Sequence, residues 1–92
     1  MSYFVYILLS LKDKKLYVGC TTNLEKRLIR HNNGAVFATK SRRPLELIYS
    51  EKFESKTEAF NRERFLKSLW GARFKKKVLD KYKQSRASHS YG

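Results

Sequence analysis

Residues 3–21 read YFVYILLSLKDKKLYVGCT, and how that stretch folds decides the rest of the chain. Tyr3 to Leu9 is an apolar run of strand length, rich in aromatic and β-branched residues, and Leu16 to Gly19 is a second. Lys12-Asp13-Lys14-Lys15 between them is polar and without periodicity, as the loop of a β-hairpin requires. Tyr6 and Tyr17 fall one on each strand, with Gly19 just beyond the second tyrosine. In an antiparallel pair joined by a loop of even length, facing residues have numbers that sum to an odd value. Six and seventeen do so, and both hydroxyls then emerge from one face of the sheet. An odd loop or a bulge would send them to opposite faces.

A chain of 92 residues holds one domain and one small core, with roughly 60–65% of its surface buried on folding. Its longest apolar run, Tyr3 to Leu9, is far shorter than the ~20 residues of a bilayer-spanning helix. No secretory leader pattern precedes that run. One cysteine and two histidines exclude a disulfide framework and a zinc-ligand cluster. A reducing, cytoplasmic setting is the expectation. Twenty-one Lys and Arg against eight Asp and Glu give a net charge of +13, which calls for a polyanionic partner. Strand patterning and 14% aromatics mark a folded basic domain rather than a basic tail.

Beyond the hairpin, Thr22 with Glu25 reads as a capping box for a helix over Asn23–Asn32, stopped by Gly34. Leu24 and Leu28 mark its buried stripe, and Arg27 and His31 lie four apart along one edge. Residues 33–44 form a loop that ends at Arg42-Arg43-Pro44. Leu45 to Tyr49 begins a third strand that continues towards Phe53 and ends in Glu54, with Leu45, Leu47 and Tyr49 on one face. Ser55 with Glu58 caps a second helix. Its apolar face joins Ala59, Leu66 and Trp70, flanked by Leu69, and Glu63 sits inside that stripe. A carboxylate there needs a partner, and Lys67 one turn on is a candidate, so Glu63 is either half of a structural ion pair or part of a site. Gly71 ends the helix. A third follows over 72–83, docked by Phe74, Val78 and Tyr82 with Leu79 beside them. Residues 1–83 are expected to form the domain and 84–92 a disordered polar tail.

Tyr6, then ten residues, then Tyr17-Val18-Gly19 resembles the two-part signature of the GIY-YIG nuclease family, with Phe4-Val5-Tyr6 as the first triplet. The likeness continues through Thr21, Asn23-Leu24, Arg27-Leu28, His31-Asn32, Gly34, Thr39, Arg43-Pro44, Glu58-Ala59, Glu63 and Lys67. It covers roughly residues 3–70 and is similar to the small bacterial proteins of that family, relatives of the nuclease domain of the excision-repair incision nuclease. Either triplet alone is a weak sign, but their spacing together with Arg27 and Glu63 is specific.

The resemblance implies an α+β fold, a three-stranded antiparallel sheet flanked by helices in the order β-β-α-β-α-α. It also implies DNA phosphodiester cleavage with one divalent ion, Mg²⁺ or Mn²⁺, in DNA repair or processing. Arg27 would neutralise the scissile phosphate, Glu63 would hold the metal with waters, and Tyr6 or Tyr17 would help to deprotonate the attacking water. His31 would relay a proton or contact phosphate. These roles suit the residue types: planar Arg binds phosphate oxygens in pairs, and a hard metal takes oxygen ligands. A phenol needs about 4 kcal/mol to ionise at pH 7, so a cation must lie beside it. Lys26, Arg30, Lys40, Arg42, Arg43, Lys67, Lys75 and Lys76 are the expected phosphate contacts, which position nucleic acid without reading its sequence. The chain departs from the incision nuclease at Cys20, where that enzyme has lysine, and lacks a counterpart of an asparagine beyond its glutamate helix. The alternative is a DNA- or RNA-binding module of the same fold without turnover. DNA is the expected partner, RNA the lesser one, a membrane surface is not expected, and a monomer is the default.

Overall fold

A computed structural model describes the backbone of residues 1–90 and the side chains of residues 1–85. Three strands, β1 (Tyr3–Ser10), β2 (Leu16–Thr21) and β3 (Leu45–Phe53), form an antiparallel sheet in the order β2-β1-β3. Helix α1 (Leu24–Asn32) and a 3₁₀ segment (Phe37–Arg42) separate β2 from β3, and α2 (Lys56–Lys67) and α3 (Ala72–Ser90) follow. The order is β-β-α-β-α-α, as the resemblance implies.

β1 is central because its side chains are apolar on both faces, and the sheet is covered on both. Val5, Ile7 and Val18 pack with Ala59 and Leu66 of α2 and with Phe74 and Val78 of α3. Tyr6, Leu8 and Leu45 pack with Leu24 and Leu28 of α1. Tyr6 faces Gly19 and Leu8 faces Tyr17. That register has the odd sum expected, so Tyr6 and Tyr17 share the α1 face.

Four local readings are corrected. Asn23, not Thr22, caps α1: its side-chain oxygen accepts the Lys26 N–H, while Thr21 Oγ1 accepts the Asn23 N–H. A register shift between Ile7 and Leu8 pairs them with Tyr49 and Leu47 and leaves Ile48 as the extra residue. Tyr49 is thereby turned away from Leu45 and Leu47 to meet Phe74 edge-on, with ring centroids 5.3 Å apart. α2 stops at Lys67, and Leu69 and Trp70 stand out from a short 3₁₀ turn, 93% and 83% exposed, instead of extending its buried stripe. The turn departs from helix because Ser68 is extended and both its N–H and its hydroxyl donate to the Phe65 carbonyl. Finally, α3 runs on past Lys83, so the residues from 84 to 90 in the expected tail have helical backbone; residues 91 and 92 lie outside the described chain. Ser55 caps α2 as expected, accepting from the Glu58 N–H. Gly34 follows α1 with φ +84°, a left-handed conformation that favours glycine.

Candidate active site

Local bonding places the polar residues of the α1 face. Asn32, at the end of α1, holds the start of β3 with both ends of its amide: Nδ2 donates to the Leu45 carbonyl and Oδ1 accepts the Leu45 N–H. Ser10, wholly buried at the end of β1, donates to the Arg42 carbonyl, and Arg42 pairs with Asp13 in the hairpin loop at 2.9 Å. These ties fix the 3₁₀ segment beneath α1, and they bring Thr39 to His31.

The result is a buried line of hydrogen bonds. Arg27 Nε donates to the Tyr6 hydroxyl oxygen (3.3 Å), the same hydroxyl meets His31 Nε2 (2.9 Å), and His31 Nδ1 meets Thr39 Oγ1 (2.7 Å). Tyr6, His31 and Thr39 are 1%, 0% and 0% exposed, so the donors and acceptors must balance inside the protein. Arg27 can only donate, which leaves the Tyr6 proton one acceptor among these partners, His31 Nε2. We therefore assign the neutral imidazole its proton on Nδ1, donated to Thr39. Burial, and then the Arg27 charge, push His31 down to about 4, in keeping with a neutral ring. Burial also raises Tyr6, although Arg27 pulls the other way.

Gly19 makes room for this arrangement. A Cβ on it would lie 2.4 Å from the Tyr6 hydroxyl oxygen, so only glycine allows the ring to lie across β2. Tyr17, half-buried, is edge-on to His31 at 5.1 Å between centroids, and its hydroxyl interacts with Arg27. Glu63 comes from α2, beyond the other face of the sheet, and its charge reaches both the Tyr6 hydroxyl and the Cys20 thiol. One of its oxygens lies 3.0 Å from Lys67 Nζ, the pairing anticipated from the i, i+4 spacing.

Tyr6, Tyr17, Arg27 and His31 are thus joined through hydrogen bonds and ring contacts, and the Glu63 charge reaches Tyr6. His31 sits fully inside, whereas Arg27, four residues earlier along the same edge, stays partly open to solvent. Among the described residues no three His, Cys, Asp or Glu side chains gather to hold a metal. A divalent ion here would have Glu63 as its protein carboxylate, with waters completing the shell, and a hard ion that keeps its waters fits such a donor.

The expected phosphate contacts divide. Lys26 and Arg30 are exposed on α1. Lys40 is exposed on the 3₁₀ segment beside an open cleft shared with Lys12, Asn32 and Arg43. Arg42 is taken up by Asp13, Lys67 by Glu63, and Arg43 lies against Gly34 and donates to the Lys40 carbonyl. Lys75 and Lys76 sit on α3, which packs on the side of the sheet away from Tyr6.

The family likeness includes Thr39 but gave it no role in the site, because a threonine eight residues past a histidine does not by its spacing show that the chain will double back. A second cluster was also hidden. Arg62 binds both carboxylate oxygens of Glu51, which accepts the Tyr49 hydroxyl proton, and its guanidinium lies over Phe74 at 4.7 Å. No described helix is long and apolar enough to cross a membrane.

Comparison with known proteins is consistent with this geometry. The profile of the GIY-YIG catalytic domain matches residues 2–77. A UPF0213 protein of Clostridium perfringens is 51% identical over 67 residues, 72% of this chain and 71% of that one. A UPF0213 protein of Natronomonas pharaonis is 42% identical over 79 residues, 85% of this chain and 92% of that one. The solution NMR structure of a UPF0213 protein from Bacillus halodurans superposes with a TM-score of 0.54 at 34% identity, over 87% of this chain and 84% of the other.

Proposed function

The chain belongs to the GIY-YIG catalytic-domain family, and from that premise we propose that it is a metal-dependent DNA endonuclease selective for structure more than for sequence. The observation that carries this reading is the Arg27–Tyr6–His31–Thr39 line, with Tyr17 against its cationic end. A buried polar chain is costly unless every member is satisfied, and this one ends on a guanidinium, the group best shaped for phosphate.

Arg27 spends Nε on Tyr6, so its position is fixed before substrate arrives, and further N–H donors remain for phosphate oxygens. Negative charge gathering on the phosphoryl oxygens then meets a cation that does not have to reorganise. Tyr6 is enclosed and its hydroxyl is fully engaged, so it orients Arg27. Tyr17 is the phenol open to water, and it stands beside both Arg27 and His31. We assign it the contact with the attacking water. Transfer of the Tyr6 proton to His31 is disfavoured in the resting protein, because burial pushes the phenol up while burial and the Arg27 charge push the imidazole down to about 4. Glu63 would hold Mg²⁺ or Mn²⁺, which when bound supplies positive charge at the leaving oxygen.

Incubation with nicked, branched and plain duplex DNA in Mg²⁺ or Mn²⁺ tests the reading. The expected result is metal-dependent cleavage that Arg27→Ala and Glu63→Ala both abolish. Binding without cleavage on every substrate would favour the second reading, a nucleic-acid-binding module of the same fold. The observation on that side is the Glu63–Lys67 ion pair, which already neutralises the carboxylate a metal would use.

A further inference from the structure

The largest apolar side chains left in solvent along α2 and its continuation are not alike. Phe60 and Phe65 are roughly half exposed, and each lies under a cation, with Lys56 Nζ at 5.4 Å and the Arg62 guanidinium at 5.3 Å from the ring centroids. Leu69 and Trp70 are 93% and 83% exposed, with no such cation over the indole among the described residues. Nor are they on a loose loop. Gly71 is buried so tightly that a Cβ would lie 2.4 Å from the Phe65 carbonyl oxygen and 2.6 Å from Leu66 Cα. Its N–H donates to the Ser68 carbonyl at 3.1 Å, and α3 begins at the next residue. A rigid turn thus presents two large apolar groups outward.

Charge identifies what can cover them. From Arg64 to Leu79 the chain carries Arg64, Arg73, Lys75, Lys76 and Lys77, besides Lys67 in its pair with Glu63, and no carboxylate. A second copy of a chain with net charge +13 would bring like charge to like. An acidic protein would match the cations, but nucleic acid matches both features at once, with phosphates for the lysines and base faces for the indole. Bases present their faces only where strands are unpaired, nicked or unstacked. We propose that Leu69 and Trp70 form a stacking knob that takes an unpaired DNA base. It is the specificity element of the proposed nuclease: the knob stands on the 3₁₀ turn that directly follows the end of α2, the helix that carries Glu63. The inference rests on the nuclease reading for its purpose, but its physical content is base stacking, which can be measured without cleavage.

Trp70 is the sole tryptophan, so its fluorescence reports the contact directly. The full chain is titrated in EDTA with oligothymidylate, a flapped duplex and a blunt duplex, with anisotropy of labelled DNA measuring occupancy. Expected are quenching of Trp70 emission by oligothymidylate and flap but little by blunt duplex, and an approximately tenfold loss of oligothymidylate affinity in Trp70→Ala. Trp70→Phe should recover most of that loss. Unchanged emission at saturating occupancy, or unchanged affinity in Trp70→Ala, overturns the knob. Quenching by oligouridylate alone overturns the assignment to DNA, and an emission shift that follows protein concentration without DNA overturns it in favour of self-association. Quenching in a protein that cleaves nothing would keep the knob and sink the nuclease reading; cleavage with silent Trp70 would do the reverse.

Discussion

The two faces of the sheet handle polarity in opposite ways. On the α2–α3 face the interior is hydrocarbon: Val5, Ile7, Val18, Ala59 and Leu66 meet with no polar partner among them, and the charged cluster of Glu51, Arg62 and Tyr49 stays at the margin. On the α1 face the interior itself contains a hydroxyl, an imidazole and a second hydroxyl in series, with the partly exposed Arg27 at one end and Tyr17 beside it. The first arrangement maximises the stability gained per residue. The second gives up apolar burial for directed hydrogen bonds, which pre-organise a site but add little net stability. Substitutions should therefore separate by face, with function lost on one and stability on the other. Glu63 is the exception, a residue from the stabilising side whose field reaches across to Tyr6.

The largest expected effect lies on the α1 face. Arg27→Ala should lower metal-dependent cleavage by about a thousandfold, roughly 4 kcal/mol of transition-state stabilisation, while changing unfolding free energy by only about 1 kcal/mol. Leu66→Ala should do the converse, costing about 2–5 kcal/mol in urea unfolding with cleavage per folded molecule unchanged. A folded Leu66→Ala protein with impaired turnover would break the separation.

The pH response sharpens it. His31 is held at about 4 in the folded protein against about 6.5 in an unfolded chain. Between those values the unfolded chain binds the extra proton, so stability falls as pH drops through that window, by up to about 3 kcal/mol at pH 4. Above about 7 the contribution is constant. Unfolding curves at pH 7 and pH 4 should show this loss in the parent and not in His31→Gln. Equal losses in both would mean that His31 is not buried neutral.

Smaller effects follow for residues that act through others. Thr39→Val removes the acceptor for His31 Nδ1–H and should reduce turnover about tenfold with KM nearly unchanged, while Thr39→Ser retains activity; equal loss in both would make Thr39 a packing residue only. The smallest expected change concerns two arginines. Arg30→Ala should lower the salt dependence of DNA binding by about one counterion, whereas Arg42→Ala, already tied to Asp13, should leave that slope alone.

Much of this was legible in order along the chain. Tyr3–Ser10 and Leu16–Thr21 are strands because short runs rich in aromatic and β-branched residues, separated by a polar break, suit paired strands. An even turn would put Tyr6 and Tyr17 on one face, a condition that only the Leu9–Leu16 pairing met, whereas the Ser55 cap and Gly34 stop follow from local hydrogen bonding. Glu63 and Lys67 paired because four residues make one helical turn. What the chain order could not reveal depends on distances between segments. Ile48 slips out of register and turns Tyr49 over; Ser68 leaves the helix and carries Leu69 and Trp70 into solvent. Thr39 becomes the partner of a buried histidine only because Ser10, Asp13 and Asn32 clamp the intervening loop. Periodicity and capping are properties of neighbours in sequence, so residue types alone determined them. Which polar groups may be buried is settled by whether a partner arrives from elsewhere in the chain, and only the packed structure decides that.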